Sequence, residues 1–210
     1  MECANVVCRQ CMLARYIPEC NLSFFFFFFF ILFFASIFSM ASISTQEDSS
    51  SSSFPSSIPQ WKYDVFLSFR GEDTRNGFTD HLYAALIQKG IVTFRDEEKV
   101  ERGKSISPEL LKAIEESKFA IVIISRNYAS SSWCLDELAK IVECMKEIGT
   151  TIWPIFYDVD PSNLCKQTGS FAQAFATHKE RFKDDVEKVQ TWRAILKEVA
   201  NLKGWHLQDR

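Results

Sequence analysis

A short apolar run that ends abruptly in a polar turn constrains this chain more than any other feature. Residues 63–69 read Tyr-Asp-Val-Phe-Leu-Ser-Phe, Arg70 and Gly71 follow at once, and helical periodicity begins a few residues later. An apolar strand that leads through a polar loop into a helix is the opening unit of an α/β sheet. Ligands of such sheets gather at the carboxyl ends of the strands, so Arg70 and Gly71 mark the edge where a site is expected.

The same alternation of strand and helix continues along the chain. Further strands are predicted at 91–94, 119–125 and 151–157, and helices at 74–89, from 108, and at 133–148, 170–181 and 186–202. Charged and polar stretches predict loops at 95–105 and 158–168, and the fifth strand, the weakest element, is expected near 184–186 or is replaced by loop. The pattern predicts an α/β, flavodoxin-like three-layer fold with a five-stranded parallel sheet in the order 2-1-3-4-5 and helices on both faces.

The strand order places the expected crevice between the first and third strands, where the order reverses. The loop after the first strand holds Arg70, and the loop after the third leads into Trp133 and Glu137. Trp133 and Glu137 are four positions apart, so a helix carries both on one face. Asp136 is turned away from Glu137 by about 100° and is the weaker candidate.

Charge and cysteine content narrow the function classes. The 210-residue chain has a formal net charge of −3, and residues 60–210 are close to neutral, which gives no electrostatic support for nucleic acid as the main partner. Cys134, Cys144 and Cys165 do not form a disulfide framework, so a reducing compartment is predicted. Cys8 and Cys11 are a lone CxxC pair without the four ligands of structural zinc, and no metal site is predicted.

Residues 1–39 form an apolar, cysteine-containing N-terminal extension. Its core, residues 22–38, is almost continuously apolar and includes seven consecutive phenylalanines. These 17 residues are few for a membrane helix, which needs about 20. A signal anchor, a cleaved signal and a leader removed by a start at Met40 all remain open, and the start at Met40 is favoured. Residues 40–59 are Ser/Pro-rich and predict a disordered linker before a folded domain at 60–210.

Several ordered motifs carry a resemblance to a known family. They are YDVFLSFRGEDTR (63–75), FRDEEKVERGKSI (94–106), SWCLDEL (132–138), FYDVDPS (156–162), KQTGSF (166–171) and Gly204-Trp205. Over residues 61–207 the chain resembles a plant Toll/interleukin-1 receptor (TIR) domain, as found in intracellular disease-resistance receptors. Those receptors continue into a nucleotide-binding domain and leucine-rich repeats, so a chain that stops at Arg210 is interpreted as a TIR-only protein or a fragment of a longer receptor.

The resemblance implies an NAD+ hydrolase. Family members cleave the bond between nicotinamide and ribose, and the matching catalytic position here is Glu137. The nicotinamide of NAD+ is already cationic and leaves without a general acid, so one carboxylate beside the ribose suffices to stabilise an oxocarbenium-like transition state. NAD+ is then the substrate, and no permanently bound cofactor is expected.

The resemblance also implies which residues contact the substrate around the reacting bond. Trp133 is expected to stack on a nucleobase, and Arg70 with the backbone at Gly71 to contact pyrophosphate or ribose. The complete substrate-binding set is Arg70, Gly71, Trp133, Phe94 and Ser125. The charged loop resembles the mobile lid of the family, in which the residues of interest are Asp96, Arg102 and Gly103.

Two surfaces of the chain match the family's self-association surfaces. One combines Asp80 and His81 on the first helix with Trp192 on the last, and the other lies around Gly204 and Trp205. Family members often carry serine at the position of Asp80, so the first contact is expected to differ in strength. The expected partners are further copies of this chain and other TIR-containing immune receptors.

Two functions from different classes stay open. The first is an NAD+ hydrolase of plant innate immune signalling, activated by self-association and releasing nicotinamide with ADP-ribose-type signals. The second is a non-catalytic adaptor that binds other TIR-containing receptors. The joint presence of Arg70, Trp133 and Glu137 favours the enzyme. A cytoplasmic location, with the nucleus as an additional compartment, is expected, and a membrane anchor applies only if residues 22–38 are translated.

Overall fold

Five parallel strands form the centre of the computed structural model, which describes residues 61–96 and 106–208. The strands are β1 (Tyr63–Phe69), β2 (Thr93–Arg95), β3 (Ser117–Ile124), β4 (Thr151–Tyr157) and β5 (Trp205–Leu207). They are ordered β2-β1-β3-β4-β5, and every neighbouring pair is parallel. The predicted fold class and strand order are confirmed.

The central pair of strands, β1 and β3, sets the position of the site. From Phe119 onward every residue of β3 is buried, as a parallel sheet covered on both faces requires. The register pairs Phe69 with Ile123, so the two strands end at the same edge of the sheet. The residues that follow them, Arg70 and Ser125, therefore begin neighbouring loops.

Helices and short turns connect the strands. The helices are α1 (Gly71–Thr74), α2 (Asp80–Gln88), α3 (Pro108–Glu115), α4 (Ser132–Glu147), α5 (Pro161–Lys166), α6 (Ser170–Arg181) and α7 (Val186–Ala200). Ser107 caps α3 by accepting a hydrogen bond from the backbone N–H of Leu110, and Pro108 is its first residue, as predicted. Ser131 caps α4 in the same way, through the N–H of Cys134.

The helices pack on opposite faces of the sheet. On one face, Val122 of β3 lies in a core with Leu135 of α4 and Trp192 of α7. On the other face, Ile121 packs with Leu82 of α2. Successive residues of a strand point to opposite faces, so α2 and α7 lie on opposite sides of the sheet.

Two connections differ from the prediction. The segment predicted as one helix at 74–89 is interrupted by a π-helical turn (Arg75–Thr79), in which Asn76 and Gly77 leave helical geometry. The segment predicted as a loop at 158–168 contains α5. Asp160 accepts a hydrogen bond from the N–H of Ser162, and Pro161 is the first residue of the helix, which together favour a helix start.

The fifth strand lies at Trp205–Leu207, so the prediction near 184–186 was wrong. Three partly buried residues are too few to show a strand period in the sequence. The strand pairs with β4, with Trp205 opposite Ile155.

No helix within residues 61–96 and 106–208 combines the length and apolar character needed to cross a membrane. The predicted extension and linker at 1–59 lie outside the described residues.

Candidate active site

Arg70 and Asn127 connect the two loops that border the crevice. Arg70 follows β1, and its Nη1 donates a hydrogen bond to the backbone carbonyl oxygen of Asn127 at 3.0 Å. The same nitrogen donates to Oγ of Ser130. Both partners belong to the connection after β3, so the ends of β1 and β3 meet as the strand order predicted.

Asp73 is a residue of this crevice that sequence reasoning missed. Its Oδ2 accepts hydrogen bonds from the Ser125 hydroxyl and from the backbone N–H of Asn127 at 3.2 Å. Its Oδ1 accepts from the side-chain amide of Asn127 at 3.3 Å and lies 3.3 Å from Nε of Arg70. We call Arg70, Asp73, Ser125 and Asn127 the crevice clasp, because their contacts hold the two loops together.

Two of the predicted substrate-binding residues, Arg70 and Ser125, belong to the crevice clasp. Ser125 is 3% exposed, and its hydroxyl donates to Asp73. Arg70 has 18% of its side chain exposed and pairs with Glu72 as well as Asp73. A substrate would therefore reach only the exposed edge of the Arg70 guanidinium unless the clasp opened.

Glu137 is a buried carboxyl group on α4. It is 5% exposed, and its Oε1 has no hydrogen-bond partner among the described residues. Burial raises the pKa of Glu137 to about 8; the polar groups of Ser68 and Trp133 lower this pKa, and the charge of Asp96 raises it. At neutral pH the side chain is mainly protonated. Such a group is more typical of a functional site than of a core that only supports the fold.

Trp133 lies one turn before Glu137 on the same face of α4, as predicted. Its side chain lowers the pKa of the Glu137 carboxyl group, and its ring packs against the core. Asp136 faces elsewhere, because its oxygens accept hydrogen bonds from Nε1 of Trp192 at 3.0 Å and from Nζ of Lys188 at 3.0 Å. The two neighbouring carboxylates are thus separated, and Glu137 alone of the pair lies with the strand-end residue Ser68.

Asp96 links the end of β2 to the crevice. Its backbone carbonyl oxygen accepts a hydrogen bond from Nη1 of Arg75 at 2.8 Å, and its charge acts on Glu137. Arg102 and Gly103, the other predicted lid residues, lie outside the described residues. Their roles stay predictions.

Phe94 packs on a neighbouring ring, and Gly71 lies beside the Arg75 side chain. The Phe94 ring stacks on Phe66 with ring centroids 5.5 Å apart. Gly71 begins α1, where an added Cβ would lie 3.1 Å from Nε of Arg75. The substrate contacts expected of Phe94 and Gly71 stay predictions.

Cys134 does not offer a nucleophile. It is 4% exposed, and burial raises the pKa of its thiol to about 12. Since the thiolate is the reactive form, this cysteine is inert at neutral pH. Within the described ranges, no group of three or more His, Cys, Asp or Glu side chains is arranged to hold a metal ion.

The first predicted self-association surface needs correction. Asp80 pairs with Arg95, and His81 is exposed, both at the start of α2. Trp192 is 1% exposed and lies on the other side of the sheet. It therefore cannot share a surface with Asp80 and His81, because α7 buries this ring against His178 of α6.

Gly204 and Trp205, the second predicted surface, hold β5 against β4. A Cβ at Gly204 would lie 2.5 Å from the carbonyl oxygen of Pro154. The Trp205 ring meets Trp153 edge to face with centroids 6.0 Å apart. Both residues thus have packing roles within the monomer, and their part in self-association stays a prediction.

Curated relatives match the folded part of the chain. Disease resistance protein RPV1 from Vitis rotundifolia is 59% identical over 170 residues, which cover 81% of this chain and 12% of that protein. TMV resistance protein N from Nicotiana glutinosa is 60% identical over 149 residues, which cover 71% of this chain and 13% of that protein. The chain thus spans about an eighth of the length of these relatives.

A solved structure and a family profile agree with these relatives. The TIR domains of the activated Roq1 resistosome, which directly recognizes the pathogen effector XopQ, match with a TM-score of 0.64 and 54% identity. That match covers 70% of this chain and 89% of the other. The profile of the TIR domain matches residues 62–210. With its motifs, its strand order and these matches in agreement, the chain belongs to the TIR-domain family.

Proposed function

We propose that this domain is an NAD+ hydrolase of plant innate immune signalling, which cleaves the nicotinamide–ribose bond and releases ADP-ribose-type products. The observation that supports this most directly is Glu137. It is a buried carboxyl group whose Oε1 lacks a partner among the described residues. It lies with residues at the carboxyl ends of the strands, where ligands of such sheets bind.

Substrate binding would convert Glu137 to its working form. The nicotinamide ring of NAD+ carries a positive charge, and a positive charge near a carboxyl group favours the ionised state. Glu137 would therefore release its proton when NAD+ enters. The free protein holds a neutral acid, and the complex holds a carboxylate beside the cationic substrate.

The carboxylate would then stabilise the transition state. As the C–N bond breaks, its electron pair leaves with nicotinamide, which becomes neutral, and positive charge develops on the ribose. A carboxylate next to that charge stabilises it more than the ground state. Water attacks the ribosyl cation and loses a proton, so NAD+ and water give nicotinamide, ADP-ribose and one proton.

Trp133 and Arg70 would orient the substrate. The half-buried Trp133 ring, one turn before Glu137 on α4, offers a face to a nucleobase. The exposed edge of the Arg70 guanidinium suits the pyrophosphate, because one guanidinium group can donate hydrogen bonds to two phosphate oxygens at once.

Assembly would control the activity. The Roq1 TIR domains were seen in an activated resistosome. This supports assembly of the present domain, either with its own copies or with other TIR-containing receptors. The exposed His81 and the neighbouring Asp80 are the proposed contact residues that remain on one surface. A cytoplasmic location is proposed as well.

A non-catalytic adaptor is the second candidate. The observation that favours it is the crevice clasp, which engages Arg70 and Ser125 within the protein. An adaptor tolerates such a closed crevice, whereas an enzyme has to admit substrate.

The test is nicotinamide release by the full chain from NAD+ and from NADH over a wide range of protein concentration. NADH is the matched control, since its nicotinamide is uncharged and is a poor leaving group. Release from NAD+ alone, rising more steeply than the protein concentration, is the expected result. No release at any concentration would favour the adaptor, and equal release from both nucleotides would contradict the proposed mechanism.

A further inference from the structure

Helix α6 holds the loop after β3 at two points. Ser170, the first residue of α6, donates a hydrogen bond from its hydroxyl to the backbone carbonyl oxygen of Arg126 at 2.8 Å. Further along the same helix, Nε2 of His178 lies 2.8 Å from the backbone carbonyl oxygen of Ala129. The residues from 170 to 178 span about 12 Å of helix, so these are separate points of attachment. We call Ser170 and His178 the α6 brace.

The hydrogen of the His178 ring has a defined position. His178 is 2% exposed, and burial lowers its pKa, so the ring is neutral at neutral pH. A carbonyl oxygen only accepts, so the hydrogen of the neutral ring lies on Nε2 and is donated to Ala129. Nδ1 then carries no hydrogen, and it has no hydrogen-bond partner among the described residues.

Aromatic rings hold His178 in this orientation. Its ring meets those of Phe175, Phe182 and Trp192 with centroids 6.2, 6.0 and 5.2 Å apart. Since side chains in a close-packed core cannot turn independently, the imidazole cannot leave Ala129 without displacing its neighbours. The hydrogen bond to the loop is therefore supported by the packing of α6 against α7.

The two braced carbonyl groups flank a residue of the crevice clasp. Asn127 lies between Arg126 and Ala129 in sequence. Its carbonyl oxygen accepts from Nη1 of Arg70 at 3.0 Å, and its N–H donates to Asp73 at 3.2 Å. The loop after β3 is thus held by α6 through the flanking carbonyls and by the loop after β1 through Asn127.

We propose that the α6 brace is a positioning element for Arg70. By holding the loop after β3, Ser170 and His178 fix the place of the oxygen atoms that bind the Arg70 guanidinium. Both residues act through the loop and not by contact with a substrate. The use of Arg70 for pyrophosphate rests on the proposed NAD+ hydrolysis, whereas the hold on the loop concerns only protein groups.

His178→Phe should loosen the loop. Phenylalanine keeps an aromatic ring in the core but has no donor, so the buried carbonyl oxygen of Ala129 is left without its hydrogen bond. We expect hydrogen exchange of the Asn127 amide to become at least about fivefold faster, beyond any acceleration by global unfolding. His178→Gln offers an N–H donor near the place of Nε2 and should restore most of the protection.

The experiment measures hydrogen–deuterium exchange of the full chain by NMR. The amide of Ile121, in the centre of β3, reports global unfolding, so the ratio of the Asn127 rate to the Ile121 rate is the readout. Lys179→Gln, an exposed change on α6, is the matched control and should leave the ratio unchanged. Equal acceleration of the two amides in His178→Phe would overturn the proposal.

Two further measurements do not depend on the folding of His178→Phe. The ¹⁵N resonances of the His178 ring in the wild-type protein should show the hydrogen on Nε2, and a hydrogen on Nδ1 alone would contradict the brace. Ser170→Ala changes a half-buried side chain at the start of α6 and should raise the exchange ratio about twofold or more. An unchanged ratio in this variant would also overturn the proposal.

Kinetics separate this inference from the proposed function. Because Arg70 is proposed to bind pyrophosphate in the ground state and the transition state alike, His178→Phe should raise KM for NAD+ about threefold to tenfold and leave kcat within about twofold. His178→Gln should return KM towards the wild-type value. A raised exchange ratio with an unchanged KM would show that the loop does not position Arg70, and the proposal would fail.

The two accounts can fail independently. If the exchange ratio rises as expected but neither wild type nor any variant releases nicotinamide, the hold of α6 on the loop is confirmed and the proposed hydrolase fails. If wild type releases nicotinamide while His178→Phe changes neither the ratio nor KM, the hydrolase is supported and the α6 brace fails.

Discussion

Arg70 and Asn127 hydrogen-bond across the mouth of the crevice, with Nη1 of Arg70 lying 3.0 Å from the carbonyl oxygen of Asn127 across a sequence separation of 57 residues. Asp73 joins the pair by binding both of them. Polar contacts thus join the loops after β1 and β3. The geometry at the strand ends depends on this small network.

Asp73→Asn should weaken the network. The substitution removes the negative charge that pairs with Arg70, and it turns one acceptor oxygen into an NH2 group facing the N–H and O–H donors of Asn127 and Ser125. We expect the free energy of unfolding to fall by about 1–3 kcal/mol, as measured by urea denaturation. The exposed Glu72→Gln is the matched control, with an expected change below about 0.5–1 kcal/mol. Equal effects of the two variants would refute the role of Asp73.

Glu137→Gln should stabilise the protein at alkaline pH. The folded protein keeps the Glu137 proton up to about pH 8, whereas an ordinary carboxyl loses it near 4.5. Between these values the folded state binds the extra proton, so wild-type stability falls as pH rises. The neutral amide has no proton to lose, and we expect the variant to match wild type near pH 4.5 and to gain on the order of 2–4 kcal/mol by pH 8.

Urea denaturation of both proteins from pH 4.5 to pH 9 measures this difference. A constant difference across the range would show that Glu137 has an ordinary pKa in the folded state. A gain in stability together with a loss of activity would mark Glu137 as a residue kept for function at the expense of stability.

Asp96→Asn should shift the pH dependence of activity. Because the free enzyme holds Glu137 neutral, kcat/KM for NAD+ is expected to rise with pH to a plateau above about pH 8. Removing the negative charge of Asp96 lowers the pKa of Glu137, so the rise should move to lower pH by about half a unit to one unit. Glu109→Gln, an exposed position at the start of α3, should leave the profile in place; a shift in both variants would point to a general charge effect.

Gly204→Ala should destabilise the edge of the sheet. The added Cβ would meet the carbonyl oxygen of Pro154 at 2.5 Å and a ring carbon of Phe156 at 2.8 Å, so β5 would have to move. We expect the free energy of unfolding to fall by about 1–3 kcal/mol. The neighbouring exposed Lys203→Ala should change it by less than about 0.5 kcal/mol, and a similarly mild Gly204→Ala would mean that β5 is not held by this contact.

The sequence predicted those parts of the fold that are encoded locally. The apolar runs at β1, β3 and β4 show their strands directly, and Ser107 with Pro108 shows the start of α3. From the strand order alone, Arg70 and Glu137 could be assigned to one crevice. Trp133 followed from its spacing to Glu137.

Features that depend on distant partners could not be predicted in this way. The role of Asp73 depends on its hydrogen bonds with Ser125 and Asn127, which lie 52 and 54 residues away in sequence. The only local signal was an acidic residue in a first helical turn. The burial of Trp192 depends on which face of the sheet α7 covers. The length of β5, three residues, leaves no period to detect.

The most direct test of the account is nicotinamide release from NAD+ by the full chain at high protein concentration, measured for wild type, Glu137→Ala and Glu147→Gln. Glu147 is an exposed glutamate on the same helix, so its substitution controls for the loss of a charge on α4. The account predicts release by wild type and Glu147→Gln and none by Glu137→Ala, with all three proteins folded. Equal release by wild type and Glu137→Ala would contradict the assignment of Glu137 as the carboxylate that stabilises the ribosyl cation.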